Sequence, residues 1–146
     1  GPGVAAAPAV PGMPNGLDLS FGYTPMQFEK INLIGSELSE HAIFSLVLSV
    51  PNITYFDLRG NKLNAAFGWK LVKAMKKRYL NLEYCNGVPL KALRTNSIDS
   101  LNLASISGHH GMYGIEVVGA IFLAHFLRLN SSLTYLNFLR NNVQKD

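Results

Sequence analysis

An eleven-residue template recurs along the chain and constrains its fold more than any other feature. ITYFDLRGNKL (Ile53 to Leu63) and LTYLNFLRNNV (Leu133 to Val143) both read apolar-x-x-apolar-x-apolar-x-x-Asn-x-apolar. FEKINLIGSEL (Phe28 to Leu38) fits with Ser36 in place of Asn, and IDSLNLASISG (Ile98 to Gly108) fits over its first half, with Ile106 at the Asn position. A fifth, degenerate copy places Leu80, Leu82 and Cys85 at the template's apolar and Asn/Cys positions. The copies begin at 28, 53, about 77, 98 and 133, a period that fits one supersecondary unit repeated. Strand side chains alternate between faces, so the apolar pairs Ile31/Leu33, Phe56/Leu58, Leu80/Leu82, Leu101/Leu103 and Leu136/Phe138 are expected to point inward as one ladder. The turn asparagines, Asn61 and Asn141, are suited to hydrogen-bond the backbone of a neighbouring coil.

Helical patterns fill the intervals. SEHAIFSLVLSV (Ser39 to Val50) opens on a capping residue and stops before Pro51, which cannot continue a helix. Ala65 to Tyr79 carries Phe67, Leu71, Val72 and Met75 at the spacing of a helix face, and Gly114 to Leu129 repeats that pattern before the turn signal NSS. Asn86 to Asn96 is too short for a full helix, with Pro89 suited to a first turn.

These motifs, with CNGVPLKALRTNSIDSLNLAS and GAIFLAHFLRLNSSLTYLNFLRNN, resemble leucine-rich repeats of the ribonuclease-inhibitor-like type, and in particular repeats of protist and algal leucine-rich repeat proteins. The resemblance implies an α/β solenoid of about five repeats, a short horseshoe with parallel strands on the concave face and helices on the convex face. Residues 26–146 would form the repeat domain, and residues 1–25 an Ala/Pro/Gly-rich extension and cap. The opening GPGVAAAPAVPGMPNG is extended or polyproline-like by composition. It reads as a cleavage scar with linker, as the mature end left by a removed targeting peptide, or as an internal linker, and it is expected to lie against another chain or over the first repeat. The template stops at the chain's end without its helix, so Leu139 and Val143 mark an uncapped end where a partner or further repeats would sit.

Apolar residues make up 48% of the 146 and charged residues 15%, which excludes a disordered acidic chain. The longest apolar runs, Ala42 to Val50 and Gly119 to Leu127, are about half of what a bilayer-spanning helix needs. The single cysteine, Cys85, excludes an internal disulfide and a four-thiolate zinc site, and it suits a buried repeat position better than a nucleophile's. His109 and His110, in the Gly-rich loop SGHHGMYG, lack the further ligands a metal needs. The sequons at Asn52 and Asn130 read as turn residues. No acid–base or nucleophile constellation is visible, so no enzymatic activity, cofactor or metal is expected.

Two surfaces remain as partner-binding candidates. On the concave face the outward positions are Asn32, Tyr55, Asp57, Tyr79, Asn102, Tyr135 and Asn137, where tyrosines supply large contact area at low entropic cost. On the helix after the second template, Lys70, Lys73, Lys76, Lys77 and Arg78 form a basic patch suited to an acidic protein or membrane surface. A net charge of +4 and the lack of a recognition module argue against nucleic acid. The expected function is therefore a non-enzymatic protein–protein interaction or scaffold module, placed inside the cell. The alternative is an accessory structural subunit of a large organellar (thylakoid or respiratory) membrane complex, docked by its tail and solenoid end.

Overall fold

The computed structural model describes residues 29–104 and 114–138. The expectations for the N-terminal tail, for His109 and His110, and for Leu139, Asn141 and Val143 lie outside those residues. In chain order the elements are β1 (Lys30–Asn32), α1 (Glu40–Ser49), β2 (Tyr55–Asp57), α2 (Ala65–Met75), a 3-10 continuation (Lys76–Asn81), β3 (Tyr84–Cys85), α3 (Leu90–Arg94), β4 (Ser100–Asn102), α4 (Glu116–Leu127) and β5 (Tyr135–Asn137).

Two of the helices, α1 and α2, begin where side chains can satisfy their first free N–H groups. Ser39 Oγ accepts from Ala42 N–H at 3.1 Å to open α1, and Asn64 Oδ1 accepts from Phe67 N–H at 2.9 Å to open α2. Beyond Met75 the chain stays helical but tightens into the 3-10 form, which ends as Arg94 donates to the Leu80 carbonyl at 2.7 Å.

The strands are parallel, but they do not form the expected solenoid of five repeats. Among the described residues they make two small sheets, β1–β2–β3 and β4–β5. Lys30, Ile31 and Asn32 pair with Tyr55, Phe56 and Asp57, and Ser100, Leu101 and Asn102 pair with Tyr135, Leu136 and Asn137. The break comes at the degenerate copy. Leu80 and Asn81 belong to the 3-10 helix, and the third strand starts only at Tyr84, so Tyr55 pairs with Tyr84 and Phe56 with Cys85. Directly after it the chain folds back. Asn86 and Gly87 take positive φ angles of 50° and 90°, and Cys85 forms an antiparallel bridge with Val88. An Asn-Gly pair with both φ positive makes a tight hairpin turn, which cuts β3 to two residues, and β4 pairs with β5 in a separate sheet. The inward ladder is correspondingly uneven. Phe56, Leu58, Leu82 and Leu101 are buried and Leu33 partly so, whereas Leu80 and Phe138 are exposed.

One hydrophobic core nevertheless runs through the described residues. Ile43 and Val47 of α1, Leu71 and Met75 of α2, and Phe122 and Phe126 of α4 close on Phe56 and Leu58. The Phe56 and Phe122 rings meet edge to face with centroids 5.2 Å apart. Helix α4 packs on both α2 and α3 and so spans the gap between the two sheets.

Two glycines set how closely α4 lies. A Cβ on Gly68 would meet the tip of Ile121 at 2.5 Å, while one on Gly119 would meet the Cβ atoms of Ile115 at 2.9 Å and Asn86 at 3.1 Å. The Ile121 tip can rotate away, but a Cβ moves only with its backbone. Gly68→Ala is therefore expected to be near neutral in urea denaturation, because the roughly 1 kcal/mol gained in helix propensity offsets the strain. Gly119→Ala is expected to destabilise by about 2 kcal/mol through overpacking. Equal losses at the two sites would contradict this account of the helix contact.

Candidate functional site

The three-stranded sheet brings together a group of polar and aromatic side chains, Tyr55, Tyr84, Asp57 and Arg59. Alternation along β2 buries Phe56 and turns Tyr55 the other way. The parallel register then sets Tyr84 beside Tyr55, with rings stacked at 4.5 Å and 7° from parallel. Burial pushes both phenols above their usual range, so at neutral pH they are uncharged donors and acceptors.

Beneath this pair lies an ion pair. Asp57 is fully buried, and Arg59 bridges both carboxylate oxygens: Nε lies at 2.9 and 3.1 Å and the guanidinium closes at 2.6 Å. The hydrogen bond to Asp57 holds the guanidinium above its ordinary range. The Arg59 guanidinium and the Tyr84 hydroxyl border Gly87, where a Cβ would make ordinary contact at 3.4 Å with the former and 3.7 Å with the latter. Glu116 takes a left-handed backbone (φ 60°) and reaches back across 56 residues of sequence to accept from Gly60 N–H at 3.0 and 3.2 Å. Half-burial pushes its carboxyl upward, against the lowering effects of the Gly60 bond and of Arg59.

The expected concave-face residues are not one column. Tyr55 and Asn32 share this sheet, and Asn102, Tyr135 and Asn137 stand on the second. Tyr79 is on neither. It lies in the 3-10 helix, with its ring packed edge-on against Phe126 at 5.8 Å and His125 at 5.9 Å. Asp57 is buried rather than outward-facing. The residues between the ladder positions have a local structural task. Asn32, Asp57 and Asn102 each accept the N–H two residues on, at 3.0, 3.2 and 3.1 Å, and so turn the chain out of its strand. The Asn137 carbonyl accepts from Leu103 N–H at 2.6 Å. Tyr135 is exposed, as are Asn32 and Asn102.

Sequence reasoning missed Tyr84, Asn86 and Glu116. The dipeptide Asn86-Gly87 was the signal for the first two, since it ends a strand at Cys85 and places Tyr84 one residue before the pair. Asn86 is buried, accepts from Leu58 N–H at 2.7 Å and donates to the Ile115 carbonyl at 3.2 Å. No local pattern marks Glu116, whose partner is distant in sequence. Cys85 is fully buried and its thiol is pushed well up by that burial, as expected of a core member.

In the basic patch, Lys70, Lys73 and Lys77 are exposed and Lys76 stands in the 3-10 helix. Lys70 Nζ sits 4.4 Å from the Phe44 ring centroid, and Arg78 donates to the Leu48 carbonyl at 3.3 Å. Among the described residues no group of three His, Cys, Asp or Glu side chains could hold a metal, and no helix is long and apolar enough to cross a membrane. Compared with protein-family models, curated proteins and solved structures, the chain matches none of them.

Two outcomes follow from this geometry. Arg59→Met strands a buried carboxylate and should cost about 3 kcal/mol of stability, part of which Asp57→Asn recovers in the double variant because the neutral amide leaves no stranded charge and still caps the backbone N–H of residue 59. A double variant no more stable than the single one would refute the buried pair. Glu116 releases its proton at higher pH when folded than when unfolded, where its ordinary value is 4.5. Its contribution to stability is complete below that value and declines as pH rises through the raised folded pKa. In urea titrations from pH 4 to 7, Glu116→Gln should therefore gain on the parent protein with rising pH, and a constant difference would count against the half-buried carboxyl.

Proposed function

We propose that this chain is a non-enzymatic binding module whose protein partner seats on the sheet face that carries Tyr55 and Tyr84. The observation that carries this reading is the stacked tyrosine pair above the buried Asp57–Arg59 bridge. Two amphipathic rings are held in one arrangement before any partner arrives, so little side-chain entropy remains to be lost on binding. Lys30 and Asn32, exposed on the adjoining strand, supply a polar rim. The engaged state of Asp57, Arg59 and Glu116 supports binding over catalysis, because the carboxylates of this face are taken up by internal hydrogen bonds. The likeness of residues 53–75, a strand, an Asn turn and a helix, to a leucine-rich-repeat unit also fits an interaction role.

The test is affinity capture with the purified full chain, its partner identified by mass and the interaction then titrated with purified components. Tyr84→Ala should weaken that interaction at least tenfold while the protein stays folded by circular dichroism, as expected for a central aromatic contact. Lys73→Glu, on another face, should leave it intact. A partner whose affinity is indifferent to Tyr84→Ala and Tyr55→Ala would remove this face from consideration.

A further inference from the structure

The second surface has a chemistry of its own. Between Asp57 and Glu83 the sequence holds no acid and seven cations. Helix α2 buries Phe67, Gly68, Leu71, Val72 and Met75, so the opposite side faces outward. On it Trp69 is 54% exposed, Lys73 follows at the helical interval of four, Lys77 follows four later, and Leu80, 38% exposed, comes three after that, in the 3-10 turn where every third residue eclipses. The result is a ridge about 20 Å long by rise per residue, with a large apolar side chain at each end and lysines between them. The indole is braced rather than loose: its ring meets His125 at 5.5 Å, and exposed Arg128 follows on the same chain segment.

We propose that this ridge docks on membrane surfaces bearing anionic phospholipid, with Trp69 and Leu80 entering the headgroup level and Lys73 and Lys77 meeting the phosphates. An indole is amphipathic and favours the boundary between headgroup and hydrocarbon. Lysines are flexible point charges that suit a fluid array of headgroups, whereas the planar fork of Arg78 is committed to the Leu48 carbonyl. A nucleic acid would need several stacking rings along the strip, and the ridge offers one. No acidic group on the segment would repel the surface.

The chain's single tryptophan makes the test direct. The full chain is mixed with vesicles of phosphatidylcholine alone and of phosphatidylcholine with phosphatidylserine, and both tryptophan emission and co-sedimentation are followed. Serine-lipid vesicles should shift the emission to the blue and sediment the protein, and pure phosphatidylcholine should do neither. Lys73→Glu with Lys77→Glu should weaken sedimentation at least tenfold, as should Trp69→Ala, with the thermal midpoint unchanged, and added salt should release the bound protein. The proposal is overturned by failure to bind the anionic vesicles, by binding that survives the lysine reversals, by sedimentation without any emission shift, or by tighter binding to an RNA oligonucleotide or an acidic peptide than to the vesicles. None of these outcomes bears on the tyrosine face.

Discussion

The amide of Asn61 holds together strands too short to hold themselves. A three-residue parallel pairing leaves most of the backbone around it without partners, and buried backbone groups must find them. Asn61 Nδ2 donates towards the carbonyls of Leu33, Leu58 and Arg59 at 2.7, 2.8 and 3.3 Å, and its Oδ1 accepts from the backbone and hydroxyl of Ser36 at 3.1 and 2.8 Å. A single side chain thus replaces several rungs of sheet and ties the loop after β1 to the loop after β2. Asn130 does comparable work in the other half. It reaches the Leu93 carbonyl at 2.9 Å and accepts from Leu133 N–H at 2.8 Å, while Asn96 accepts from Ser131 N–H at 2.8 Å. A leucine at any of these positions would fill the space and leave the polar backbone stranded.

The parts of the fold legible in sequence are those decided by local chemistry. Ser39 and Pro51 bracket α1, the apolar positions of α2 and α4 are their buried faces, and the template alignment of Ile53 to Leu63 with Phe28 to Leu38 coincides with the observed pairing of β1 and β2. The five-repeat solenoid failed where two local signals competed. Leu80 and Leu82 match the template's spacing of two, but the chain from Lys76 is still winding as a helix, and a 3-10 turn accommodates that spacing with Leu82 inside and Leu80 outside. Asn86-Gly87 then settles the strand's length, because its turn geometry demands positive φ at both residues.

The candidate face was half legible for a related reason. Alternation picked out Tyr55, and the pairing that completes it, with Tyr84, depends on a register that the degenerate copy obscured. The polar residues between the ladder positions looked like a contact column because they face outward in an ideal strand. At Asn32, Asp57 and Asn102 the side chain is instead spent on the main chain two residues ahead. Position in a strand identifies where a side chain starts; the nearest unsatisfied donor decides where it ends.

Asn86 carries one more consequence. Its buried amide is clasped on one side by the N–H of Leu58, just beyond β2, and on the other by the carbonyl of Ile115, at the threshold of α4. Lifting α4 away from the first sheet would break the second clasp and bare an amide inside the core, so the helix has no cheap intermediate position between seated and released. Because α4 also leads directly into the loop before β5, that latch ties the second sheet to the first through the helix. Two sheets that share no hydrogen bond between their strands are thereby joined through one seated helix, which touches α2 and α3 and leads on to β5.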